Sequence, residues 1–121
     1  MAYDRDNIFA KILRREIPCD KVYEDEHVLA FNDINPQAPT HVLVIPKAEY
    51  VSMDDFSENA SAEEIAALMR AAGRIARELG VAQEGYRLLA NIGENGGQEV
   101  AHLHFHLFAG RPLGPMLASS A

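Results

Sequence analysis

The chain has 121 residues, 48% hydrophobic and 24% charged, enough for one soluble domain that buries roughly two thirds of its unfolded surface. With 11 basic against 18 acidic residues the formal charge is -7, which excludes a polyanion surface held by counterion release, so any nucleotide taken here is small and sits in a pocket. The longest clean apolar run, residues 42–45, is too short to cross a bilayer, residues 1–6 carry no apolar stretch, and the single cysteine, Cys19, cannot form an internal disulfide; a cytoplasmic protein free of membrane is expected.

Asp6 or Asn7 can cap a helix in which Ile8, Phe9, Ile12 and Leu13 form one apolar stripe, with Pro18 ending it. Two short strands, Lys21–Glu24 and Val28–Asn32, follow as a hairpin around the polar turn Asp25-Glu26-His27, where His27 is an exposed residue without a role. The segment DINPQAPT, residues 33–40, is rich in turn formers. It leads into HVLVIPK, residues 41–47, whose run at residues 42–45 is apolar on both faces and reads as a central strand with His41 at its mouth. Residues 48–60 read as an irregular acidic connection. Ser61 and Glu64 then match a capping box, and Ile65, Leu68, Met69, Ala72, Ile75, Ala76 and Leu79 recur at helical spacing until Gly80. A further strand spans residues 86–91, and residues 92–98 form a loop that is neither GxGxxG nor GxxxxGK[ST]. Its adjacent glycines let backbone N–H groups approach an anion, or simply make a turn. One short helix, one long helix and five strands predict a single α+β domain on a mainly antiparallel sheet, with a C-terminal tail from about residue 111.

The last predicted strand carries His102-Leu103-His104-Phe105-His106. Side chains alternate along a strand, so the three imidazoles share one face and Leu103, Phe105 and Leu107 the other. A single metal is a poor fit, because same-face neighbours stand about 6.6 Å apart and the outer pair about 13 Å, whereas zinc holds nitrogen at about 2.1 Å. Covalent catalysis uses such a line better: one neutral ring attacks phosphorus or an acyl carbon while its neighbours fix its tautomer and supply a proton to the leaving group.

Beside HVLVIPK, the segment His102-Leu103-His104-Phe105-His106-Leu107-Phe108 closely resembles the motif of the histidine triad family, His-x-His-x-His-x-x with apolar x. IFAKILRREIP, AFNDINPQAPTHVLVIPK, GYRLLAN, GGQEV and GRPLGPM are similar to its Hint branch, with Glu99 and the GRPLGPML ending resembling bacterial members. The resemblance implies hydrolysis of purine nucleoside phosphoramidates, such as adenosine monophosphate joined through nitrogen to an amine, by a homodimer without metal or cofactor. By position, His104 is then the nucleophile, His106 contacts the phosphate and the leaving atom, and His41 and His102 orient His104 and relay protons to it. Asp33 matches the ribose-binding residue with Ile34 beside it. Ile8, Phe9, Ile12, Ile17, Phe31 and Asn32 match the base pocket. Asn91 and Gln98 match residues near the phosphate, and Gly97, Glu99 and Val100 complete the nucleotide-binding set.

Some positions depart from the family pattern. Ala101 stands in place of an aromatic residue, Phe108-Ala109-Gly110 in place of a Gly-Gly ending, Glu99 where animal members have serine, and the tail lacks their tryptophan. Glu99 either lies near the departing amine and favours cationic leaving groups or, by strict alternation, faces away as a solvated charge. Alternative functions are a dinucleoside polyphosphate hydrolase like the Fhit branch, a metal-binding module, and a nucleotide-binding regulatory protein.

Overall fold

The computed structural model describes residues 2–117, so Met1 and the last four residues of the expected tail, 118–121, lie outside the described residues. The elements are α1 (Ile8–Leu13), β1 (Lys21–Glu24), β2 (Val28–Asn32), β3 (Thr40–Pro46), α2 (Met53–Asn59), α3 (Ala62–Glu78), β4 (Arg87–Leu89), α4 (Gly93–Gly96) and β5 (Phe105–Ala109). The five strands form one sheet in the order β1-β2-β3-β5-β4, and every neighbouring pair is antiparallel. The α+β class expected from the sequence is the class observed.

Alternation along the strands divides the core into two. Val28, Ala30, Val42, Val44 and Leu107 face α3, whose Leu68, Ala71, Ile75 and Ala76 cover them. Leu29, Phe31, Leu43 and Ile45 face the other way, against Phe9 and Ile12 of α1. His106 pairs with Leu43 and Phe108 with His41, so these rings stand on the α1 face. The histidine-lined cleft therefore lies on the side of the sheet that the long helix leaves open.

Local signals explain most boundaries. Asn7 is the α1 cap, its side chain accepting from the Ala10 N–H. Pro18 does not end this helix: it stops at Leu13, and Arg15 turns the chain with a left-handed φ of 65°. The Ser61–Glu64 capping box is present on α3, and Gly80 takes a left-handed φ just beyond its end. Residues 48–60 are not wholly irregular, because Ser52 and Asp55 form a second capping box that starts α2. With Phe56 as the buried residue of that short helix, no apolar period announces it. The strand at residues 86–91 is shorter than expected, and residues 93–96 of the following loop make one helical turn.

The histidine segment also differs from a continuous strand. The β3–β5 ladder begins at the Val44–Phe105 pair, so His102 and His104 precede regular pairing. Here the backbone finds other partners: the Leu103 N–H donates to the Tyr50 carbonyl, and the His102 ring donates to the Pro46 carbonyl. The expected division of faces survives, with Leu103 and Leu107 in the α3 core and all three histidines turned away from it.

Candidate active site

Each histidine has partners that assign its tautomer. His102 donates from Nε2 to the Pro46 carbonyl at 2.8 Å, so Nδ1 bears the lone pair and accepts from the Tyr3 hydroxyl at 2.5 Å. His104 donates from Nδ1 to the His102 carbonyl at 2.7 Å. That leaves the His104 Nε2 lone pair as the ring's reactive electron pair.

A second chain starts at the backbone. The Gln37 N–H donates to His41 Nδ1 at 3.1 Å, which puts the His41 hydrogen on Nε2. From there it points to His106 Nδ1 at 2.9 Å, and the His106 hydrogen is left on Nε2. His104 thus offers a lone pair and His106 a proton, with ring centroids 5.1 Å apart. His41 meets His106, and His102 orients His104 through its carbonyl, not its ring.

The surroundings keep these rings uncharged. Burial pushes His102 and His106 down from the ordinary 6.5 to about 4, helped at His106 by the neighbouring His104 and His41. His104 is also lowered by burial, against an opposing pull from the His102 carbonyl and from the charges of Asp33 and Glu99. His41 is lowered by burial and partly restored by Asp33, whose Oδ2 lies 3.5 Å from Nε2. A neutral imidazole is the nucleophilic form, so the site is set for attack near neutral pH.

Two cavities meet at His104 and His106. One of about 200 Å³ is mainly apolar, with Ile8, Phe9, Ile12 and Phe31 on its walls and Asn32, Asp33, Ile34 and Val100 at its rim. The other, of about 440 Å³, is polar and is lined by Asp33, His41, Asn91, Gly97 and Glu99. Glu99 lines both. Its charge also acts on His104, so Glu99 stands at the cleft and not on the opposite face that strict alternation from His102 would give it.

Three expected residues are not brought to these walls, the first of them His102, which is fully buried. Ile17 lines a separate cleft. Gln98 is a loop clasp: its Oε1 accepts from the Gly93 N–H and its Nε2 donates to the Val51 and Val100 carbonyls. Conversely, Pro18, Cys19 and Leu43 line the apolar cavity without having been expected there. Period two from His41 points to Leu43, whereas no sequence signal marks Pro18 or Cys19. Asp33, His41 and His106 bring possible metal-ligating atoms within 4.8 Å of one another, but the two facing ring nitrogens already share a hydrogen bond that a cation would have to break.

Fold and cleft together describe an α+β protein with a line of largely buried histidines beside an apolar cavity of about 200 Å³. The chain belongs to the HIT domain family, whose model matches residues 14–113. It is 65% identical to an uncharacterized HIT-like protein of Azospirillum brasilense, over 95% of this chain and 94% of that protein. It is 50% identical to the purine nucleoside phosphoramidase of Escherichia coli K12, over 93% of this chain and 94% of the enzyme. The structure of a HIT family hydrolase from Clostridium thermocellum superposes with a TM-score of 0.87 at 42% identity, covering 95% of this chain and 99% of that one.

Proposed function

We propose that this protein hydrolyses the P–N bond of purine nucleoside phosphoramidates through a nucleotidyl-His104 intermediate. The observation that carries this reading is the pair of tautomers, a lone pair on His104 Nε2 beside a proton on His106 Nε2. The likeness to the Escherichia coli phosphoramidase supports it independently. The purine occupies the apolar cavity walled by Ile8, Phe9, Ile12 and Phe31, the ribose hydroxyls reach Asp33, and the phosphate lies at His104 and His106.

In the first step His104 Nε2 attacks phosphorus in line, and the bond to the amine nitrogen breaks. The nitrogen leaves as an amine by taking the His106 Nε2 proton. The new P–N bond makes the His104 ring cationic, which offsets the proton given up, and the His102 carbonyl holds its Nδ1–H. Water then attacks the nucleotidyl group, returns a proton to His106 and releases the mononucleotide.

A symmetric homodimer accompanies this reading. Ile65 and Met69 of α3 and Tyr86 beside the edge strand β4 are large exposed apolar residues of the single chain, and a two-fold partner would cover them. A monomeric mass in sedimentation at micromolar concentration would exclude the dimer. The chemistry is tested with purified protein against adenosine phosphoramidates and dinucleoside polyphosphates, with and without chelator. Preferential P–N cleavage insensitive to chelator supports the proposal; preference for P–O–P cleavage rejects it.

A further inference from the structure

The base-side cavity shares part of its wall with a second cleft. Ile12, Pro18 and Cys19 line it and also line an adjoining cleft of about 670 Å³ that contains none of the histidines. This second cleft is polar in a consistent sense. Arg15, Lys21 and Lys47 bring three cations to it, and among the described residues Glu24 is its one acid. Glu24 already bridges two of them: Oε1 accepts from Lys21 Nζ at 2.9 Å and Oε2 from Lys47 Nζ at 2.7 Å. The two ammonium groups hold its carboxyl down at about 2, so it stays ionised. One carboxylate cannot neutralise three cations, and the local surplus stands on a chain of formal charge -7.

Arg15 adds a second observation. It is the non-glycine residue with a left-handed φ among the described residues, at the turn after α1 where glycine or asparagine is the ordinary choice. Its guanidinium makes no ion pair among the described residues, and its side chain lines the cationic cleft. A costly residue at a position that glycine would fill more easily is accounted for if the guanidinium has a ligand.

In a purine nucleotide the six-membered ring is the edge farthest from the glycosidic bond. With ribose at Asp33 and phosphate at the histidines, that edge points towards Pro18 and Cys19, the walls shared by the two clefts. We propose that the cationic cleft is a specificity subsite for a carboxylate-bearing substituent at position 6 of the purine, gripped by Arg15 and Lys47. This rests on the placement of the base given above and extends it to the substrate class: purine nucleotides with an acidic substituent on the exocyclic nitrogen.

The test uses the full chain and three ligands: adenosine monophosphate, its N6-carboxymethyl derivative and the neutral N6-carbamoylmethyl derivative. Equilibrium affinities are measured by calorimetry, and the readout is the carboxylate-to-carboxamide ratio within each protein. The parent is expected to bind the carboxylate roughly five- to tenfold tighter, with the ratio shrinking as salt is raised. In Arg15→Gly and in Lys47→Met the ratio should fall towards one. Arg15→Gly suits the left-handed backbone, so its thermal midpoint should hold or rise, and a lost ratio there is not a lost fold. Equal affinities for the two derivatives in the parent, or a ratio unchanged in both variants, overturn the subsite while leaving the base pocket in place. Failure of adenosine monophosphate itself to bind overturns the base placement and the subsite with it.

Discussion

Acid should destabilise this protein in a way that can be traced to one ring, His102. The ring is fully buried, and both nitrogens are used in the neutral form: Nε2 donates to the Pro46 carbonyl and Nδ1 accepts from Tyr3. Protonation at Nδ1 would place a charge in the core, where little solvent is left to stabilise it. Burial accordingly lowers this group from 6.5 to about 4. The unfolded chain binds the proton more readily, so the contribution to stability is complete above about pH 6.5 and is lost as pH falls towards 4. Integrating between those two values gives a loss of about 2.5 kcal/mol by about pH 4.5. His104 and His106 act in the same direction, so the parent alone does not isolate His102. His102→Gln does, because an amide still donates to Pro46 but does not titrate. Urea unfolding followed by circular dichroism at several pH values between 7 and 4.5 should show the parent losing about 2.5 kcal/mol more than the variant. Parallel losses in the two proteins would refute the account of this ring.

Other outcomes follow from the same geometry. His104→Ala should lower kcat/KM by at least about a thousandfold while adenosine monophosphate binds within about threefold of the parent, read by steady-state kinetics and calorimetry. Glu99→Ser should reduce the preference for a lysine over a neutral alkyl amine of equal length by about two- to fivefold, and the parent's preference should weaken in salt, because Glu99 lines both cavities and its charge acts on His104. Gly110→Ala should cost about 1–3 kcal/mol in thermal denaturation. At its φ of 101° an added Cβ would stand 2.8 Å from the Pro39 Cβ.

What could be read from the sequence was what local rules decide. The Ser61–Glu64 cap, the β1–β2 hairpin and the apolar run of β3 depend on neighbours a few positions away, and each was legible. The face of each triad histidine followed from alternation, but the start of β5 did not, because it depends on which residue of β3 remains to pair with it. The tautomers were beyond reach for the same reason. Tyr3 lies 99 positions from His102, and Gln37 acts through a backbone N–H that no side-chain pattern reveals. Ile17 shares the apolar character of α1, yet the left-handed turn at Arg15 carries it to the neighbouring cleft. Gln98 is drawn into closing the α4 loop, a role that needs the positions of the Val51 and Val100 carbonyls.

The claim on which the rest depends is that His104 Nε2 forms a bond to phosphorus. It is tested most directly by mixing the protein with an adenosine phosphoramidate, quenching within one turnover into denaturant at alkaline pH, where an N-phosphoryl imidazole survives, and mapping the adduct by mass spectrometry. The account predicts a nucleotidyl group on His104 that forms and decays at rates compatible with turnover. Turnover without any protein adduct under these conditions, or an adduct on a different residue, would contradict it.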